Sequence, residues 1–166
     1  MPSLLERLED GAECQLFVHC ATSVSYLSEL AGSIPWVERY AERALVLARP
    51  KDIVCVTDEV DPAYLAYLAD LGVGPRAENV LPASRFGAAT PGRALWARLA
   101  GNAEALRELG CLVRRTGPTR IQPFIASQGQ FALAAALEVA ADTEVRVAGG
   151  NPSLVHYADH KHHVRA

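Results

Sequence analysis

No stretch of this sequence approaches the ~18 uninterrupted apolar residues of a membrane span. The first residues, MPSLLERLEDGAE, are acidic where a signal peptide needs a basic flank and an apolar run. Basic blocks are scarce too, Arg114-Arg115 being the longest. With 16 Lys and Arg against 19 Asp and Glu, the net charge is -3, which argues against a broad nucleic-acid or anionic-membrane surface. The four cysteines, Cys14, Cys20, Cys55 and Cys111, share no metal-type spacing. Cys14 and Cys55 lie in or beside apolar runs, where a free thiol behaves as a small hydrophobe. A reduced, cytoplasmic protein with neither nucleic acid nor membrane as partner is the expectation.

The familiar catalytic and nucleotide templates are missing as well. There is no GxGxxG, GxxxxGK[ST], GxSxG or HExxH. No Ser or Cys has a sequence-local base that would mark it as a nucleophile. No internal repeat or linker divides the chain.

What is present is an ordinary globular balance over 166 residues, with 50% of them apolar and 21% charged, enough for one domain with a sizeable core. Leu4, Leu5 and Leu8 share one face of a short N-terminal helix that Gly11 can end. Gln15–His19 reads as a first strand. Ser33 as N-cap and Pro35 in the first turn open a helix to about Ala48, with Trp36, Tyr40, Ala44 and Leu47 as its inner stripe, backed by Val37, Ala41 and Leu45. Ile53–Thr57 is the clearest strand, and its apolar continuity predicts burial on both faces, as in a parallel sheet. Asp61-Pro62 starts a helix with Leu65, Leu68 and Leu71 as its stripe and Gly72 as its stop. A short strand at Asn79–Leu81 follows, then a helical pattern from Arg93 that can break at Gly101-Asn102 and runs on to Gly110. Arg120–Ile125 is a strand in which Pro123 marks a bulge, an edge or an end. Ser127 and Gln130 match a capping box before a helix bearing Phe131, Leu133, Ala134 and Leu137, and Val145–Ala148 is the last strand. The alternation predicts an α/β domain: an open, mainly parallel sheet of about five strands flanked by helices.

In such sheets ligands meet the loops after the carboxyl ends of the strands. Four of those loops carry polar residues: Thr22, Ser23 and Ser25 after the first strand, Asp58, Glu59 and Asp61 after the second, Ser127 to Gln130 after the fourth, and Gly149-Gly150-Asn151 after the fifth. Each has a plainer role as a helix cap or a turn, so convergence at one edge of the sheet is what would mark a site. The segment after Gly150 is charged and His-rich, with helical composition and no Gly, Asn or Pro to stop it. His156, His160 and His163 stand at helical spacing. With Asp159 as the one carboxylate nearby, the reading taken is a solvated helix without metal.

The order of these stretches resembles the N-terminal, pre-ATP-grasp part of bacterial ATP-grasp ligases, the group that includes peptide and amino-acid ligases of natural-product pathways. The stretches are AERALVLARPKDIVCVTDEVDPAYLAYLADLG, RIQPFIASQGQFALAAALE, VRVAGGN and YADHKHHVRA, which span most of residues 33–166. The resemblance implies a pre-ATP-grasp, Rossmann-like domain over residues 1–150 and, over 151–166, the start of a connection into an ATP-grasp domain that this sequence lacks. In the intact enzyme ATP and Mg²⁺ would activate a small-molecule carboxylate as an acyl phosphate, and an amine would attack it to form an amide or peptide bond. Asp159-His160-Lys161 looks like the family's lysine element, so Lys161 would reach ATP phosphates, a role suited to a mobile ammonium. By analogy Asp58, Glu59, Gln122, Ser127 and Asn151 would line the substrate wall. The second lysine, the Mg²⁺ ligands and the arginine that meets the acyl phosphate are not in these residues, so this chain alone is expected to be non-catalytic and to bind no cofactor. Its implied partner is the ATP-grasp domain, in the same parent chain or in a split subunit. The alternative is a stand-alone binding or scaffold domain that dimerises through an apolar helix face, and a third reading is a small α/β enzyme using Asp58, Glu59 and the histidines.

Overall fold

The structure is a computed structural model, and it describes residues 13–23, 33–34, 37, 39–88, 92–117, 119–151 and 153. The expected N-terminal helix and the His-rich segment with Lys161 lie outside the described residues. Five strands form one sheet: β1 (Cys14–Val18), β2 (Ile53–Val56), β3 (Val80–Pro82), β4 (Thr119–Pro123) and β5 (Val145–Val147). Their order is β3-β2-β1-β4-β5 and every pairing is parallel, as the alternation of elements predicts. Among the described residues four α-helices accompany them: α1 (Pro62–Asp70), α2 (Leu95–Ala100), α3 (Ala103–Thr116) and α4 (Gln128–Ala141).

Side chains alternate across each strand, so the sheet builds two different layers. Cys14, Leu16, Val18, Ile53, Cys55, Leu81, Ile121 and Val145 face α2, α3 and α4, whose Leu95, Leu99, Leu109, Val113, Leu133 and Leu137 complete the main core. On the other face Phe17, Val54, Val56 and Val80 meet Ala44, Leu45, Ala48 and Leu68. All four β2 residues are buried, the two-sided burial expected of a parallel strand.

Local signals explain most element boundaries. The Asp61 carboxylate accepts the Ala63 N–H at 2.8 Å with Pro62 just behind it, starting α1. Gly101 ends α2, and Asn102 Oδ1 caps α3 by accepting from the Glu104 and Ala105 N–H groups at 2.9 and 3.0 Å. Pro123 ends β4, where its missing N–H costs no ladder bond.

The structure departs from the sequence reading in three places. Arg39–Val46 winds as a 3-10 helix, eight residues long, although runs beyond about 4 residues are uncommon. Residues three apart eclipse in that winding, which sets Arg39 on Glu42 at 2.6 Å and Arg43 on Tyr40; an α-helix would instead stack the like charges Arg39 and Arg43. The helix stops at Val46, so Leu47 sits in the turn beyond it, 56% exposed, instead of in the inner stripe. In α1 only Leu68 is fully buried, and Leu71 lies past the helix end at 58% exposure. Gly110 does not end α3, which continues to Thr116. A β-carbon there would come within 3.1 Å of Ala140, so the glycine permits close approach of α3 and α4.

Candidate functional site

β1 leads leftward to β2 and β4 leads rightward to β5, so the chain reverses direction between β1 and β4. Loops splay apart at such a switch point and leave a crevice outside the carboxyl ends of the strands. Because the sheet is wholly parallel, all five carboxyl-end loops lie along that one edge. A β-carbon on Gly149, which has φ +118°, would stand 3.0 Å from the Ala126 β-carbon, so the loops after β4 and β5 touch.

Buried polar atoms without a hydrogen-bond partner collect at this edge. Among the described residues they are His19 Nδ1, Ser84 Oγ and Gln130 Nε2. His19 follows β1 directly, Ser84 follows β3, and Gln130 stands in the first turn after β4. Buried polar groups in folded proteins are almost always paired, so their grouping here separates this edge from the rest of the core.

His19 is the central group. It is only 6% exposed and is held edge-on between Phe17 (ring centroids 5.6 Å apart) and Phe124 (6.3 Å). Burial, with the Arg43 guanidinium in second place, lowers its pKa to about 4, so the imidazole is neutral at physiological pH. Arg43 lies over the rings of Tyr40 and Phe124, at 4.7 and 5.2 Å from their centroids. Next to His19, Cys20 Sγ meets Thr22 Oγ1 at 2.8 Å.

A small cavity opens here, lined by His19, Cys20, Thr22, Thr57, Arg93 and Arg98 among others, with about 10 Å³ of open space. A second cleft of about 90 Å³ shares Arg93 and Arg98 and extends along Phe86, Gly87 and Asn102. Arg98 donates to the Gly87 carbonyl at 3.4 Å and Arg93 to that of Ala97 at 3.2 Å. Neither forms an ion pair with a carboxylate among the described residues.

The residues expected along the substrate wall stand outside the lining of these two cavities. Asp58 and Glu59 are exposed after β2, and Glu59 pairs with Arg85 at 3.0 Å. Gln122 lies within β4 and donates to Gln15 Oε1 across the sheet. The Ser127 N–H donates to Gln130 Oε1 at 2.9 Å, one half of the expected capping box. Asn151 is exposed, and its Oδ1 accepts the Ser153 N–H at 2.9 Å. None of these five lines either cavity, and Lys161 lies outside the described residues.

Among the described residues of the sequence-marked loops, Thr22 is the one that reaches the first cavity. His19 was hidden because it read as the last residue of an apolar strand, and Arg93 because it read as a helix start. The usable clue was position: a histidine at the carboxyl end of a strand, followed by the small-residue stretch Ala21-Thr22-Ser23.

No group of three or more His, Cys, Asp or Glu that could hold a metal occurs among the described residues. Of the cysteines, Cys14, Cys20 and Cys55 are buried, Cys111 is exposed and all are free. Burial pushes the Cys55 thiol up to about 12, so it stays a protonated hydrophobe. No helix among the described residues is long and apolar enough to cross a membrane.

A family described as "Pre ATP-grasp domain" matches residues 41–139, more than half of the chain, from the 3-10 helix through most of α4. No curated protein and no solved structure matches.

Proposed function

Since the chain belongs to the pre-ATP-grasp domain family, we propose that it is the substrate-side domain of an ATP-grasp ligase that joins a small-molecule carboxylate to an amine. The family match over residues 41–139 carries this reading. The switch-point crevice supports it, because such crevices are where open α/β sheets receive ligands. On this reading the ATP-grasp lobes belong to another segment or subunit, and they supply ATP, Mg²⁺ and the acyl-phosphate chemistry. The present chain works in the cytoplasm and contributes the wall on the carboxylate side. Lys161 is the residue offered to the ATP phosphates, and the loops bearing Asp58, Glu59, Ser127 and Asn151 form the rim toward the lobes.

The test is reconstitution. The chain, joined or mixed with ATP-grasp lobes from the same gene or a neighbouring one, should release ADP only when ATP, Mg²⁺, a carboxylate and an amine are all present. Lys161→Ala in that assembly should weaken ATP binding, and unchanged affinity counts against the assignment. The 166-residue chain by itself should bind ATP weakly or not at all; sub-micromolar binding in a calorimetric titration, about -8 kcal/mol or better, overturns the division of labour. If the chain instead forms a stable dimer with no dependence on such lobes, the scaffold reading replaces this one.

A further inference from the structure

The geometry points to a carboxylate-binding site in the crevice, with Arg93 and Arg98 holding the carboxylate of a small organic acid and Thr22, Thr57 and His19 meeting the polar atoms behind it. This deepens the ligase reading, and it rests on that reading only for calling the acid a substrate.

Three observations meet here. In a chain of net charge -3, two guanidiniums border the same pair of clefts, and they donate to the carbonyls of Gly87 and Ala97. Guanidinium forks match carboxylates in geometry as well as charge, so such a pair is a ready acceptor for one. Secondly, His19 lines the inner cavity, is 6% exposed and has Nδ1 without a partner. A buried polar atom in that state is costly until something pairs with it. Because the ring is neutral, a hydroxyl or amide of the ligand suits it better than a second anionic group.

The third observation is size. The inner cavity of about 10 Å³ admits about one water-sized group, and the outer cleft of about 90 Å³ admits several. That is room for a carboxylate and the first atoms behind it, whereas whole drug-sized ligands or nucleotides need roughly 300 Å³ or more. Phosphate sites are commonly built from successive backbone N–H groups in a glycine-rich strand-to-helix turn. Among the described residues, the polar side chains lining this crevice include His19, Thr22, Thr57, Arg93, Arg98 and Asn102.

The experiment titrates the 166-residue chain with N-acetylglycine and, separately, with inorganic phosphate at constant ionic strength, following backbone amide shifts by NMR. N-acetylglycine should bind saturably in the millimolar range, with shifts gathered around residues 19–22, 57 and 93–102. Arg93→Gln and Arg98→Gln should each weaken binding by about tenfold or more, whereas Arg107→Gln, on the exposed side of α3, should leave it unchanged. If Arg98→Gln fails to fold, Arg98→Lys keeps the charge and the stem but loses the fork, and should still weaken binding several-fold. No saturation by about 100 mM, shifts gathered elsewhere, or affinity indifferent to both arginines overturns the site. Tighter binding of phosphate than of N-acetylglycine overturns the carboxylate assignment. ATP and the lobes are absent from this titration, so its failure leaves the ligase reading standing, and a failed reconstitution leaves the site standing.

Discussion

On one face of the sheet, α2, α3 and α4 press leucines and valines onto all five strands, from Leu81 on β3 to Val145 on β5. On the other, among the described residues, a 3-10 helix whose buried residues are mostly alanines and α1 with its single fully buried leucine cover β1, β2 and β3. From Gln15 on β1 outward, the alternation on that second face presents Arg120, Gln122 and Arg146, and the apolar cluster among the described residues stops. The second side also holds a buried ion pair. Buried Asp52 accepts from the Gln15 and Arg49 backbone N–H groups at 2.9 and 2.8 Å, and from Arg49 Nε and Nη2 at 2.9 and 2.8 Å. This ties the exit of the 3-10 helix to the start of β1. The site lies where the two constructions meet: His19 is on the thinly covered face, and Gln130 is at the start of the well-packed α4. The contrast places this polarity on the side that, among the described residues, has the smaller apolar cluster.

If the α2–α4 face carries most of the stability, the largest effect should come from truncation there. Leu133→Ala, at a fully buried position, is expected to cost about 2–5 kcal/mol in urea unfolding. Leu71→Ala, 58% exposed on the other side, should change stability by less than about 0.5 kcal/mol. Equal losses would end the comparison. Next in size is Gly129→Ala: a β-carbon there would fall inside the Trp96 indole, so overpacking should cost about 1–3 kcal/mol. Adding Trp96→Leu should recover part of that loss, and purely additive effects would show that the contact is not the cause.

A smaller effect comes from the thinly covered face. The pKa of His19 is lowered from 6.5 to about 4 on folding, so between those values the unfolded chain holds the extra proton. The stability tied to this group is therefore complete above pH 6.5 and declines as the pH falls toward about 4, by about 1–2 kcal/mol once solvent screening is allowed for. Denaturant unfolding from pH 7 to pH 4 should show the decline, and His19→Gln should flatten its share; an identical slope in the variant assigns it to other groups. Smallest is Glu42→Ala. It removes the exposed pair with Arg39 and should cost about 0.5 kcal/mol or less in thermal unfolding at low salt, with the difference gone at high salt.

How much of this was readable beforehand follows from the range of the interactions involved. The caps at Asp61 and Asn102, the two-sided burial of β2 and the strand end at Pro123 are written in neighbouring residues and were legible. Gly110 reads locally as a helix stop, because a glycine that ends a helix and one that lets two helices touch look alike until Ala140 is placed beside it. Leu47 and Leu71 were assigned inward by period, and both fell just past the ends of their helices. The candidate site was legible only as a set of loops. Arg93 and Arg98 come to the same cavity as His19 from 74 and 79 positions further along the chain, a juxtaposition that the 3-2-1-4-5 strand order creates.

The amino-acid sequence by itself determined the alternation of strands and helices, the parallel character of the sheet and the resemblance to pre-ATP-grasp domains, because these rest on periodicity, capping and motif order. The tertiary structure decided which strands are neighbours, where the chain reverses and which buried polar atoms are left without partners. Those depend on contacts between residues far apart in the chain, and local composition does not encode them.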